Sequence, residues 1–168
     1  IDSVCQGCRV CRLFEKPGLD SKLTTRMTTR FNEVVQADLS FAEDQCILHL
    51  IDEAIRWSVA VQINSRKTED ILEELHLRWV AIFGAPKVII TDQEGAFKSE
   101  VGVIFCQRNG IELKFTAIRQ HPQIMNRHQE ILRVLLKRIK AQCTQEGIPD
   151  DFRFRLAEAV FAKNAMLE

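Results

Sequence analysis

The sequence of 168 residues carries no net charge and contains no long apolar run. Because 23 basic residues balance 23 acidic ones, the total charge gives no evidence of a nucleic-acid partner, although a local basic face could supply one. No segment approaches the roughly 18 apolar residues of a membrane span, and the first residues do not resemble a signal peptide. Apolar residues make up 46% of the chain, enough to fill a core. We therefore expect one domain with a short additional piece and no membrane partner.

The six cysteines lack the pattern of a secreted disulfide framework. Three lie close together near the N-terminus, at Cys5, Cys8 and Cys11. They form two overlapping C-x-x-C pairs, each of which is half of a zinc site, but a structural zinc site needs four ligands and no second C-x-x-C pair follows. The other three lie in apolar or helical settings, where we expect buried, reduced thiols of an intracellular protein: Cys46, Cys106 and Cys143.

From Phe31 onward, the apolar pattern predicts alternating strands and helices. Three β-prone runs with short connections, at 34–41, 46–51 and 58–63, predict an antiparallel meander. A helix is predicted from Thr68, its N-cap, to a stop at Gly84. The remaining predicted elements are a buried strand at 88–91, a helix at 99–108, a strand at 112–116, a long helix at 124–145, and a last helix capped by Asp150. This order predicts an α/β fold in which helices flank a mixed five-stranded sheet, with three antiparallel strands followed by parallel ones.

The N-terminal part has a different composition from the rest. Residues 1–17 are rich in cysteine, and residues 18–30 are polar and basic, which is typical of a linker. The main domain is therefore predicted to occupy residues 31–168.

Two aspartates stand out as candidates for chemistry. Asp92 follows a short apolar strand and precedes a loop containing Gly95, and ligands of open α/β sheets gather at the carboxyl ends of strands. A turn-starting or helix-capping Asp92 is an equally good interpretation. Asp38 lies in mid-strand, where aspartate is rare, so in a central strand it needs a partner or an ion. Since Gln36, Asp38 and Ser40 share one face by alternation, a side chain that points into water is the alternative.

These residues give the chain a resemblance to a known family. Residues 31–168 resemble the integrase catalytic core of retroviruses and long-terminal-repeat retrotransposons, which is a ribonuclease H-like domain. Such cores carry one Asp on the first strand, a second in a T-D-x-G-x-x-F segment, and a Glu on a later helix. Asp38 matches the first, and segment 91–97 matches the second with one extra residue before the glycine. Further similarity lies at Trp79, 83–86 and 109–111.

The resemblance implies a function as well as a fold. It implies a DDE-type polynucleotidyl transferase in which Asp38 and Asp92 hold Mg²⁺ or Mn²⁺ for two-metal 3′-end processing and strand transfer. It also implies element ends and target DNA as partners, a homo-oligomer, and action in the nucleus. Cys8 and Cys11 match the cysteines of the family's upstream His-His-Cys-Cys zinc module. Residues 1–17 are thus expected to be a remnant of that module, and Zn²⁺ would require the missing upstream half-site.

The third acid is where the sequence departs from the family pattern, G-x-x-E-R at the start of the long helix. Aligning on the Glu-Arg pair places Asn126 at the Glu position, whereas aligning on the His-Pro-Gln segment 121–123 brings Glu130 near, one residue late. The usual glycine is missing in both alignments. Because these positions are four apart on a helix, they share a face about one turn apart. We favour Asn126, which predicts a catalytically inactive copy.

The same helix carries a candidate DNA-binding track. Its basic residues lie near the Glu130 face: Arg127, Arg133, Lys137 and Lys140. A solvated helix face is the plainer interpretation. Two other functions remain open: a non-catalytic descendant that binds nucleic acid or protein, and a ribonuclease H. The latter would need an acid from the first helix, which carries Glu69, Asp70, Glu73 and Glu74.

Overall fold

The computed structural model describes residues 28–92, 96–116 and 123–166. Within these ranges one sheet has five strands: β1 (Val34–Ala42), β2 (Gln45–Asp52), β3 (Ser58–Ile63), β4 (Val88–Thr91) and β5 (Glu112–Phe115). Their spatial order is β3-β2-β1-β4-β5. The β1–β2 and β2–β3 pairs are antiparallel, and the β1–β4 and β4–β5 pairs are parallel. The predicted mixed sheet, with three antiparallel strands followed by parallel ones, is confirmed.

Helices flank this sheet on both faces. They are α1 (Thr68–Leu75), α2 (Ala81–Phe83), α3 (Glu100–Arg108), α4 (Gln123–Glu146) and α5 (Phe152–Ala165). A π-helical segment, His76–Val80, joins α1 to α2, and a 3-10 turn, Ala96–Lys98, precedes α3. None of the described helices combines the length and apolar character that a membrane span requires. The predicted zinc-module remnant with Cys8 and Cys11, and most of the predicted linker, lie outside the described residues.

Two predicted helix caps are each wrong by one residue. The first helix has Lys67 as its N-cap, with extended backbone and no side-chain cap, so Thr68 is already helical. Asp151, not Asp150, caps α5 by accepting the backbone N–H groups of Arg153 and Phe154. Asp150 instead pairs with Arg155 Nε at 3.2 Å. Adjacent acids compete for one cap, and the backbone places Asp151 at the position from which its carboxylate reaches the N–H groups.

The cysteine prediction is correct in part. Cys46, Cys106 and Cys143 are all free thiols. Cys106 is buried in the core, while the other two are only half-buried, so the expectation that all three are buried was wrong.

The two faces of the sheet pack against different helices. Odd-numbered residues of β1, such as Val35 and Ala37, pack with apolar residues of α1 and with Trp79. The opposite face packs Ile47 of β2 against α4 and α5, whose buried residues include Leu132 and Leu156. Because side chains alternate along a strand, Gln36, Asp38 and Ser40 point toward the α4 side. Asp38 therefore lies beneath α4.

A hydrogen-bonded junction fixes the start of β4, at whose end Asp92 lies. The indole Nε1 of Trp79, which is fully buried, donates to Asn32 Oδ1 at 2.8 Å. The Asn32 amide donates in turn to the carbonyl oxygens of Phe83 and Gly84 at 2.9 and 3.2 Å. Gly84 has a φ of 83°, which favours glycine, and it ends the helical segment.

Candidate functional site

Asp38 and Asp92 lie side by side on neighbouring strands. In the parallel β1–β4 pair, Ala37 is the partner of Thr91, so the next residues along each strand are Asp38 and Asp92. Adjacent strands are about 4.8 Å apart, which puts the two carboxylates within reach of a common ligand. Both residues line a cavity of about 190 Å³ at the carboxyl end of β4.

The long helix α4 contributes Asn126 to the same cavity. Met125 and Asn126 line it together with the two aspartates. Glu130 is not among the described residues that line it. Its side chain is 51% exposed and forms an ion pair of 3.9 Å with Arg133. Of the two positions considered for the third acid, the one at the cavity is thus occupied by a neutral amide.

Gln129 of α4, which sequence reasoning did not single out, contacts Asp38. Its Nε2 donates to Asp38 Oδ2 at 2.7 Å, and the residue is buried. Successive helix residues are rotated by about 100°, so Gln129 lies on the face of Met125, four residues earlier, whereas Glu130 lies one step further round. This rotation is the signal that could have identified Gln129. Buried Met125 and Gln129 lie along one stripe of the helix, and exposed Asn126 and Glu130 lie along the next.

Gln36 is a second buried amide at this cavity, and it too was not proposed as a site residue. Its Nε2 donates to Glu53 Oε1 at 2.6 Å. Its Oε1 is buried and has no hydrogen-bond partner among the described residues. Gln36 lines the cavity with Asp38, two residues along the same strand face. The site therefore joins two carboxylates to several neutral amides.

On its other side, Asp38 is paired in register with His49 of β2, which is fully buried. The His49 Nε2 lies 3.2 Å from Ser58 Oγ, and its Nδ1 has no partner among the described residues. Burial, and to a smaller extent the nearby charges of Lys163, His128 and Arg133, lower the pKa of His49 to about 3. His49 is thus neutral near pH 7 and brings no positive charge to Asp38.

His49 is close to two further basic side chains, the half-buried His128 of α4 and the buried Lys163 of α5. Burial, together with nearby Lys163, Arg56 and Arg127, lowers the pKa of His128 to about 4. Burial and nearby Arg56 lower the pKa of Lys163 to about 8, and its Nζ donates to the Arg56 carbonyl oxygen at 3.1 Å. Lys163 thus bonds α5 to the connection between β2 and β3.

The predicted basic track divides into two groups. Arg127 and Lys137 are exposed on α4, and Arg127 directly follows the cavity residue Asn126. Arg133 forms an ion pair of 3.9 Å with Glu130, and Lys140 forms one of 2.8 Å with Glu43. Of the four predicted basic residues, Arg127 and Lys137 are thus the exposed ones outside these two ion pairs.

Three acids of the first helix line a groove that is separate from the aspartate cavity. Asp70, Glu73 and Glu74 line a separate groove of about 580 Å³ beside the edge strand β3. Because α1 packs on the sheet face opposite to Asp38, these carboxylates do not join Asp38 and Asp92. The geometry gives no support to the ribonuclease H alternative.

The donor set of the cavity differs from what the metal ions implied by the family resemblance require. Mg²⁺ and Mn²⁺ prefer oxygen ligands, and a two-metal centre needs carboxylates that hold both ions about 3.5–4 Å apart. Within the described ranges, no group of three or more His, Cys, Asp or Glu side chains is placed to hold a metal ion. The cavity offers two carboxylates and uncharged amides, and the amide of Gln129 already donates to Asp38. This set does not fit a two-metal centre.

Comparison with known proteins does not assign the chain to a family. No protein-family model matches the chain, and no curated protein matches it.

Proposed function

We propose that the chain is an integrase-type, ribonuclease H-like core from a transposable element that binds DNA without joining strands. The sheet order and the adjacent Asp38 and Asp92 support the integrase-type part of the proposal. The observation that carries the second part is Asn126, a neutral residue that lines the cavity with both aspartates. On this proposal, the protein acts in the nucleus on element ends and target DNA.

The missing third charge is the reason why we expect no strand transfer. In two-metal phosphoryl transfer, the ions stabilise the attacking and the leaving oxygen, and carboxylates hold them in place. Removing one electrostatic stabiliser of a transition state typically slows a reaction by about 10²–10³-fold, and the loss of a metal ion matters at least as much. An amide at position 126 and an exposed Glu130 leave the second ion without this support.

DNA binding depends on other residues than catalysis does. Arg127 and Lys137 are exposed along α4, and Arg127 directly follows the cavity residue Asn126. Lysine and arginine contacts to phosphates provide sequence-independent affinity, and they position a duplex without reading its bases. The side chains of α4 would therefore hold a DNA backbone across the cavity. The expected homo-oligomer is a separate prediction, tested by sedimentation of the purified chain.

The experiment is a strand-transfer and end-processing assay with Mn²⁺, using a short duplex with the element's own terminal sequence. The unmodified protein should be inactive, and Asn126→Glu should recover metal-dependent cleavage. Glu130→Gln is the matched control, four residues along the same helix, and should leave the activity of Asn126→Glu unchanged.

Two results would contradict the proposal in different ways. Cleavage by the unmodified protein that is abolished by Glu130→Gln would make Glu130 the third ligand and the chain an active enzyme. Absence of DNA binding by the unmodified protein and by Asn126→Glu alike would remove nucleic acid as the partner.

A further inference from the structure

We propose that the outer edge of β3 binds an extended peptide segment of a partner protein, with basic side chains on one face of that segment and apolar side chains on the other. This site is separate from the aspartate cavity and does not depend on the proposed DNA binding. β3 is the last strand on its side of the sheet, so one of its edges faces away from β2. An edge of this kind can form backbone hydrogen bonds with an added strand.

The backbone groups at this edge follow from the pairing of β3 with β2. In an antiparallel pair, alternate residues bond the neighbouring strand, and the residues between them direct their backbone groups the other way. The carbonyl oxygen of Trp57 accepts the Asp52 N–H at 2.9 Å, so the odd-numbered residues of β3 bond β2. The N–H and carbonyl groups of Ser58, Ala60 and Gln62 therefore lie on the outer edge.

The described part of the chain covers the start of this edge and leaves the rest accessible. Both backbone groups of Ser58 bond the side-chain amide of Asn164 on α5. No described residue bonds the outward backbone groups of Ala60 and Gln62. Edge strands are usually protected by charged residues, proline or bulges, whereas β3 contains neither a charged residue nor a proline. Two successive outward-facing residues can thus bond a strand that is added beside them.

A groove of about 580 Å³ follows the same edge and provides space for an added strand. It is lined by residues 59–65, with α1 on one side and the first half of α5 on the other. Because side chains alternate along a strand, Val61 packs on the α1 side and Ala60 on the α5 side. An added strand would point its side chains alternately toward the same two helices.

The α1 side of the groove is acidic. It carries the carboxylates of Asp70, Glu73 and Glu74, of which Glu74 pairs with Arg78 at 3.0 Å. Among the described residues, no basic side chain pairs with Asp70 or Glu73. Lysine or arginine side chains on this face of an added strand would therefore meet carboxylates of opposite charge. Exposed ion pairs are individually weak, so the backbone bonds supply most of the affinity and the charge selects the peptide.

The α5 side of the groove differs in character. It is formed by the buried Leu156 and by Ala157, with Arg153 near the start of the helix. An apolar side chain can pack on Leu156 and Ala157, whereas a lysine there would lie near the positive charge of Arg153. The segment that fits this groove therefore alternates basic and apolar residues.

The experiment measures binding of labelled peptides to the full chain by fluorescence anisotropy. The probe is a short, end-blocked peptide that alternates lysine and valine. One control peptide has glutamate in place of lysine, and a second keeps the sequence of the probe but carries N-methyl groups on its backbone amides. The probe should bind at least about tenfold more tightly than either control, because the first places like charges beside α1 and the second lacks the backbone donors.

Variants of the chain locate the site. Gln62→Pro removes an outward N–H and keeps the bonds to β2, so it should weaken binding of the probe by about tenfold. Gln62→Ala is the matched control, because it removes the same side chain but keeps the N–H, and it should bind like the unmodified protein. Asp70→Asn and Glu73→Gln should each weaken binding by about threefold. Glu69→Gln should not, because Glu69 is exposed on the same helix and is not among the described residues that line the groove.

Four results would overturn the proposal. They are no binding of the probe, equal affinity for the probe and the glutamate peptide, equal affinity for the probe and the N-methylated peptide, and sedimentation of the chain alone as a dimer that Gln62→Pro dissociates. In the last case, a second copy of the chain would occupy the edge. If Gln62→Pro does not fold, the N-methylated peptide decides, since it tests the same hydrogen bonds on the unmodified protein.

Discussion

The side-chain amide of Asn164 on α5 bonds both backbone groups of Ser58, at the start of the edge strand β3. Asn164 Oδ1 accepts the Ser58 N–H at 2.9 Å, and Asn164 Nδ2 donates to the Ser58 carbonyl oxygen at 2.8 Å. The amide thus pairs with the outer edge of β3 as a neighbouring strand would. It links the last described helix to the sheet behind His49.

Replacing Asn164 by leucine should therefore loosen this end of the sheet. The change leaves a partly buried N–H and a carbonyl oxygen of Ser58 without their partner, and we expect a loss of about 2 kcal/mol in the free energy of unfolding. Urea denaturation followed by circular dichroism measures it. Asn64→Leu, at an exposed asparagine just after β3, should change little. A loss of equal size in both variants would show that the Ser58 contact is not the cause.

Asn32 should be sensitive to substitution for two separable reasons. Its φ is 61°, and its side chain accepts the buried indole N–H of Trp79. Asn32→Gly tolerates the backbone but leaves the indole unpaired, at a cost of about 1–3 kcal/mol. Asn32→Ala adds the strain of a Cβ at positive φ, a further cost of about 1 kcal/mol.

Denaturation curves of the two Asn32 variants test this order. If Asn32→Gly were as stable as the unmodified protein, the side-chain hydrogen bonds would not be important at this position. If Asn32→Ala were as stable as Asn32→Gly, the backbone conformation would not be important there.

The sequence predicted the strands well because their signal is local. Alternation along β1 placed Asp38 with Gln36 and Ser40, and that shared face is what the structure contains. The strand order could be predicted because a meander followed by alternating helices and strands allows few connections. In this strand order, Asp38 and Asp92 come to lie beside each other on neighbouring strands.

Which residues of a helix face the core was harder to predict than where the helix lies in the sequence. Ile82 follows the buried Trp79 at helical spacing, yet it is 64% exposed. The π-helical segment His76–Val80 widens the turn before it and rotates the residues that follow. The same kind of uncertainty hid Gln129, because one residue along α4 is a rotation of about 100°. No local pattern states which residue of α4 faces Asp38.

DNA binding should depend on Arg127 and Lys137. Alanine at either position removes one exposed positive charge from α4, so affinity for duplex DNA should fall for all sequences alike. The slope of log affinity against log salt concentration should decrease by about 1 for each phosphate that the variant no longer neutralises. Fluorescence anisotropy with a labelled duplex at several salt concentrations measures both quantities.

Arg78→Ala is the control for this test. Arg78 is exposed and pairs with Glu74 at 3.0 Å beside the β3 groove, on the other face of the sheet. Its removal should leave the salt slope unchanged. An equal decrease in all three variants would indicate nonspecific attraction to net charge rather than a track along α4.

Stability should fall as the pH is lowered below the ordinary pKa of histidine. His49 and His128 have pKa values lowered to about 3 and about 4 in the folded protein, against 6.5 for an exposed histidine. Between those values and 6.5 the unfolded chain binds more protons, so the free energy of unfolding decreases as the pH falls, by about 1 kcal/mol per pH unit for each histidine. At pH values well above 6.5 both are neutral in both states and contribute no slope. His49→Gln can keep a partner for Ser58 Oγ and should halve the slope of the free energy of unfolding between pH 6.5 and 5. Glu43 does not disturb this window, because its pKa is lowered and its carboxyl titrates at lower pH. Urea denaturation at each pH measures it, and an unchanged slope in His49→Gln would show that the buried imidazole is not the group that titrates.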